Sequence, residues 1–229
     1  MQEEIIFSPD YAVARLTMRA GETIIAEPGA MIGMTPNISL KGQMAKGGFL
    51  GSLKRGLLGG ESFFTSTFTA EGDAELLLGT GQPGDIICLE LNQETVFVQS
   101  GGFIACTEGI KVDTSWGGVH SFFGRMGLFL LKISGTGKLF IGAFGALHPV
   151  DIPPGQDFII DNGHVVCFSE NTSFTIDKSG GFKTFLTGGE MLVCRFRGPG
   201  RVWLQTRNPG AFSGWIDRFR PVQHTNDND

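Results

Sequence analysis

Apolar residues in this chain come in short runs separated by polar, glycine-bearing turns, and the same layout occurs three times. In the first copy Glu22-Thr23 opens the run Ile24-Ile25-Ala26, Pro28-Gly29 makes a second turn, and Met31-Ile32 begins the next run. In the second, Glu94-Thr95 opens Val96-Phe97-Val98, the turn ends at Gly101, and Phe103-Ile104 follow. In the third, Gln156-Asp157 opens Phe158-Ile159-Ile160, the turn ends at Gly163, and Val165-Val166 follow. Each copy reads as strand, tight turn, strand. The segments just before them, Ala14-Arg15-Leu16-Thr17-Met18, Cys88-Leu89-Glu90-Leu91 and Pro149-Val150-Asp151-Ile152, alternate as half-buried strands do.

A second landmark keeps the same register. Gly72, Gly135 and Gly198 stand 63 residues apart, and each opens a turn, a charged residue and an apolar strand. From the first landmark glycine to the second the distances are 43, 34 and 35 residues, so the first copy carries about nine more. These extra residues fall in the glycine-rich segment 41–60. Units of about 60–70 residues built from short strands cannot each enclose a stable core, so the copies should pack on one another's apolar faces. The expectation is one all-β domain over residues 1–218, built of three internal repeats (about 11–82, 83–146 and 147–218) with pseudo-threefold symmetry. Residues 219–229 read as a disordered acidic tail.

Composition agrees with many tight turns. The 229 residues include 35 Gly but only 10 Pro, 20 Phe against one Tyr and three Trp, and 18% charged residues. An apolar content of 41% with a net charge of −5 can bury a core, which disfavours a disordered chain. The acidic balance gives no support for nucleic-acid binding. The first residues, Met1-Gln2-Glu3-Glu4, have none of the basic character of a secretory or transit signal, and no apolar stretch is long enough to span a bilayer. A cytoplasmic location is expected, with peripheral attachment to a membrane as the second possibility. Cys88, Cys106, Cys167 and Cys194 are scattered through apolar runs and read as reduced core thiols.

Candidate chemistry is sparse. His120, His148, His164 and His224 form no HxH or HExxH motif, there is no GxSxG elbow, and the acids sit mostly at turns. No catalytic, cofactor-binding or metal-binding residues are therefore assigned. The informative feature is the segment 41–60, with seven glycines, four basic residues and no acid. Within it Phe49, Leu50, Leu53 and Leu57 recur at near-helical spacing, with Lys46, Lys54 and Arg55 elsewhere on the wheel. Such a pattern suits an amphipathic element on an anionic membrane or a partner. It equally suits a hairpin tip whose apolar face covers the sheet or packs on another subunit, and the glycines, at about 1 kcal/mol each in a helix, favour the hairpin. A phosphate loop lacks its GxxxxGK[ST] signature. The equivalent segments of the other copies are also rich in Phe and Gly, with Phe122 and Phe123 in the second and Phe182 and Phe185 in the third. Three apolar protrusions related by pseudo-symmetry would form a Phe-lined assembly rim.

The arrangement of Ala26-Glu27-Pro28-Gly29-Ala30-Met31, the Gly/Lys loop before Gly59-Gly60-Glu61-Ser62-Phe63-Phe64, and Val98-Gln99-Ser100-Gly101-Gly102-Phe103-Ile104-Ala105 resembles a widespread bacterial family. That family is related to the mitochondrial altered-inheritance (AIM24-type) biogenesis proteins, and the resemblance covers about residues 3 to 217. It implies a double-stranded β-helix similar to the tryptophan RNA-binding attenuator (TRAP-like), with no established enzymatic activity and no catalytic residues to carry over. The mitochondrial members are implicated in inner-membrane organisation, whereas the opening residues Met1-Gln2-Glu3-Glu4 do not read as a transit peptide. The expected function is a non-enzymatic β-scaffold that forms a homo-oligomer and presents its Phe/Gly loops to a protein partner or membrane surface, without a cofactor and without nucleic acid. The alternative is a small-ligand or metal-binding β-barrel, for which His148 and His164 are the first candidate ligands.

Overall fold

Period-two alternation puts one face of each strand inside, as β2 (Val13–Met18) shows: Ala14, Leu16 and Met18 are buried, while Arg15 and Thr17 face solvent. The computed structural model describes residues 1–44, 64–113, 129–179 and 191–220. Within these, β1 (Gln2–Ile6) and β2 are followed by β3 (Thr23–Ala26), β4 (Met31–Met34), β5 (Ile38–Met44), β6 (Phe64–Ala70) and β7 (Ala74–Gly79). Next come β8 (Ile86–Gln99), β9 (Phe103–Thr107), β10 (Ile110–Asp113) and β11 (Leu130–Gly142). The last stretch holds β12 (Leu147–Ile152), β13 (Asp157–Asp161), β14 (Val165–Ser169), β15 (Ser173–Ser179), β16 (Met191–Arg197) and β17 (Gly200–Gln205), and ends in one helix, α1 (Pro209–Asp217).

The described chain is predominantly β. Ten strands form one sheet in the order β12-β17-β14-β8-β11-β9-β3-β6-β5, with β10 also on β11. Beside it stand a four-stranded sheet, β1-β2-β7-β4, and a three-stranded sheet, β13-β16-β15. All the strand pairs are antiparallel, and the same pairings recur along the chain. β2 pairs with β7, the first half of β8 with the second half of β11, and β12 with β17. β3 pairs with β6, the second half of β8 with the first half of β11, and β13 with β16.

The expected turn at residues 93–95 and the Gly135 turn do not reverse the chain. Each lies within one long strand, so the four segments expected there are fused into β8 and β11. Gln93, at φ 55°, is the extra residue of a bulge between the two strands, and its N–H donates to Thr136 Oγ1 at 3.1 Å. Gly135, at φ 136°, lies against Gly109, whose carbonyl accepts from Thr136 N at 3.1 Å. A Cβ on Gly135 would stand 2.2 Å from that carbonyl oxygen, so backbone conformation and space both require glycine.

Three clusters of buried side chains form the core, and they overlap between the three stretches of chain at about 11–82, 83–146 and 147–218. The first gathers Leu16, Ile24, Phe68, Leu76 and Leu78, together with Ile104, Ala105 and Phe140 from the second stretch. The second gathers Val98, Phe103, Ile133 and Leu139, together with Val166, Cys167 and Trp203 from the third. The third contains Phe168, Phe196 and Val202 with Phe97 and Leu130 from the second. Its centre is aromatic: Phe168 lies 5.2 Å from Phe97, 5.0 Å from Phe174 and 5.2 Å from Phe196.

Candidate functional site

The loop residues singled out from sequence, Lys46, Phe49, Leu50, Leu53, Lys54, Arg55, Leu57, Phe122, Phe123, Phe182 and Phe185, all lie outside the described residues, as do residues 221–229 of the expected tail, whereas its first two residues, Phe219 and Arg220, are placed against Trp215 and Asp217. What the structure places is where their segments attach. Residues 45–63 join β5 to β6, whose ladder runs to Met44 opposite Phe64. Residues 114–128 lead from β10 towards β11, paired as far as Asp113 opposite Lys132. Residues 180–190 join β15 to β16, paired as far as Ser179 opposite Met191. Each segment thus lies between the two strands of an antiparallel pair. Paired strands hold both ends of such a segment together, whatever its length.

The two candidate histidines serve different strands. His148 is exposed on β12, opposite Leu204. His164 is half-buried in the 3-10 turn before β14, with its Nδ1 2.8 Å from the Gln205 carbonyl oxygen. Among the described residues no group of three His, Cys, Asp or Glu side chains could hold a metal ion. The four cysteines are free thiols, with Cys106, Cys167 and Cys194 buried and Cys88 half-buried. Burial pushes the thiol of Cys88 up to about 11 and those of Cys106 and Cys194 to about 12, far from the thiolate range of a nucleophile.

A cleft of about 730 Å³ opens where the three stretches approach one another, lined by Glu27, Gln99, Ile104, Gln205, Ser213 and Asp217 among others. Burial raises the Glu27 carboxyl above its ordinary value, because no compensating charge offsets the loss of solvent. Gln205 is committed to structure: its side-chain oxygen accepts from Phe144 N at 3.0 Å and its side-chain nitrogen donates to the Gly163 carbonyl at 2.8 Å. Thr80 is likewise structural, its hydroxyl donating to the Gln82 carbonyl in its own turn.

Exposed apolar side chains are the more distinctive feature, and they cluster. Met31, Ile32 and Met34 lie on β4, and Phe158 and Ile159 on β13. Phe212, Trp215, Ile216 and Phe219 belong to α1 and the turn after it. Trp215 stacks at 6.0 Å on Phe212 and meets Phe219 edge-on at 5.1 Å, while Phe212 anchors the helix to Phe144 at 5.1 Å. Sequence reading missed this helix, although two signals mark it. Asn208 caps its first N–H groups, accepting from Gly210 N and Ala211 N, and Pro209 occupies the first turn. The apolar residues at 212, 215, 216 and 219 follow helical spacing. No helix of the described residues is long and apolar enough to cross a membrane.

The comparisons with known proteins fit this architecture. The chain is 28% identical over 222 residues to an uncharacterised protein of Streptococcus pyogenes serotype M6, covering 94% of this chain and 89% of that one. It superposes on the crystal structure of a Streptococcus pyogenes protein with a TM-score of 0.76 at 27% identity, over 96% of this chain and 99% of the other. The family description that matches residues 4–207 is that of mitochondrial biogenesis AIM24, and on that extent the chain belongs to the AIM24 family.

Proposed function

We propose that the protein is a non-enzymatic β-scaffold that self-associates and presents its Phe/Gly-rich loops to a protein partner or membrane surface. The observation that carries this reading is that nine of the thirteen exposed large apolar side chains among the described residues gather on β4, β13 and α1 with the turn after it, while Phe7, Tyr11, Leu40 and Ile176 stand elsewhere. The matching attachment of the three loop segments between paired strands supports it. The same pairings support a finer fold, a TRAP-like double-stranded β-helix of three repeats with pseudo-threefold symmetry. Among the described residues of each stretch six strand segments follow one another in the same order, two pairs of them fused in the second.

Flotation on anionic liposomes tests the membrane form of the proposal. The intact chain should float and a chain deleted for residues 42–60 should float several-fold less. Equal absence of flotation would remove the membrane and leave the protein partner.

A second reading, a small-ligand site, draws on the cleft beside Glu27, where a half-buried carboxyl faces a space of small-molecule size. Native mass spectrometry of protein purified from its source should then show a stoichiometric adduct, and a bare chain would remove this reading.

A further inference from the structure

Two strand pairings join the successive stretches, and both use the same register. β3 pairs with β9, placing Ile24 opposite Thr107, Ile25 opposite Cys106 and Ala26 opposite Ala105. β8 pairs with β14, placing Val96 opposite Ser169, Phe97 opposite Phe168 and Val98 opposite Cys167. Carrying this register one step further sets β13 against β4, with Phe158 opposite Thr35, Ile159 opposite Met34 and Ile160 opposite Gly33. Among the described residues that third pairing is absent: β13 bonds only to β16, and β4 only to β7.

The open edges have the composition of an interface. Ile32 is 57% exposed, whereas its equivalents Ile104 and Val166 are 1% exposed. Ile159 is 51% exposed, against 6% for its equivalent Phe97. The bulge that shapes the accepting strand is also present: the register shifts between Met31 and Gly33 as it does at Ile104 and between Val165 and Cys167. β4 carries no charged residue to block an added strand.

The cores show the same missing contribution. The first core takes Ile104, Ala105 and Phe140 from the following stretch, and the second takes Val166, Cys167 and Trp203 at equivalent positions. The corresponding residues for the third core are Ile32, Gly33 and Leu77, and none of them belongs to it.

We infer that β13 of one molecule adds antiparallel to β4 of a second copy of this chain, in the register of the two internal pairings, so that Ile32 and Leu77 of the second copy cover the third core of the first. The occupant is a second copy because β4 matches the internal partners of β3 and β8 in register, bulge and apolar character, and the two edges stand open in the same molecule instead of meeting. The contact is heterologous, using different surfaces on the two partners, and closes as a ring or continues as a filament according to the rotation it imposes. This inference deepens the self-association proposed above by naming its surfaces.

Light scattering on the full chain at micromolar concentration should give a multiple of 24.6 kDa. Ile159→Lys and Met34→Lys alter exposed side chains on opposite edges. Each variant alone should fall to the single-chain mass while keeping its circular dichroism and thermal midpoint. Mixed in equal amounts they should form a dimer and nothing larger, since each retains the edge the other has lost. A monomeric wild type would overturn both this inference and the self-association proposal. An oligomer whose mass neither lysine changes, or variants that stay monomeric when mixed, would overturn the edge pairing alone. Should a lysine prevent folding, the Ile159→Cys, Met34→Cys double variant decides. Oxidation should give a ladder of cross-linked chains, whereas a cross-link confined within one chain would overturn the inference.

Discussion

Glu27 shows how a single side chain can report on its surroundings. Its carboxyl is raised because burial penalises the charged form. A raised acid favours the folded state below its unfolded value, near 4.5, and that contribution is lost as pH rises through the folded value. At neutral pH the ionised carboxylate therefore works against folding. Glu27→Gln should raise the thermal midpoint at pH 7 and leave it nearly unchanged at pH 4, as scanning calorimetry at the two values would show. An equal effect at both would mean that the carboxyl is not buried in its charged form. Its place in a Glu-Pro-Gly turn was legible from sequence, but its burial was not, because the residues that line the cleft around it are drawn from distant parts of the chain, among them Thr80, Gln99, Ile104 and Gln205.

At the scale of the element, strand order and turns could be read from period-two patterning and glycine, but the behaviour of individual turns could not. Gly135 and Gly198 look alike in sequence, yet one lies inside a 13-residue strand while the other precedes β17. The difference arises because β10 and β8 clamp the chain on both sides of Gly135, so its positive φ becomes a kink within β11 instead of a reversal. Gly135→Ala should cost about 1–3 kcal/mol, read from the urea midpoint, because it combines an unfavourable φ with a collision at the Gly109 carbonyl. A change below a few tenths would show that the two strands can separate there at little cost. α1 is the opposite case. Its cap, its Pro and its apolar spacing are all local signals, and only the preponderance of β patterning upstream concealed them.

Across the whole molecule, the overlap of the three cores bears on cooperativity. Phe97 and Leu130 belong to the third core although they lie in strands of the second stretch, and Ile104 and Phe140 belong to the first. No stretch keeps its core when a neighbour unfolds, so the chain should unfold in one transition. Phe196→Ala removes a fully buried ring from the aromatic centre and should cost about 3–5 kcal/mol. Its far-UV and tryptophan-fluorescence transitions should shift together. Two separated transitions would instead mark the third stretch as an independent unit.

Sequence by itself determined the β character, the order of most strands, the turns at Pro28-Gly29, Gly101 and Gly163, and the family, because each depends on local periodicity or short motifs. It also marked the three loop segments, whose residues lie outside the described part of the chain. Tertiary structure alone decided which of several similar apolar strands are covered. Ile32, Ile104 and Val166 occupy the same place in the same pattern, and only the assembled sheets show that Ile104 and Val166 gain a neighbouring strand while Ile32 does not. Periodicity records which face a side chain takes, whereas burial depends on what the rest of the chain brings against that face, and that is a property of the whole fold.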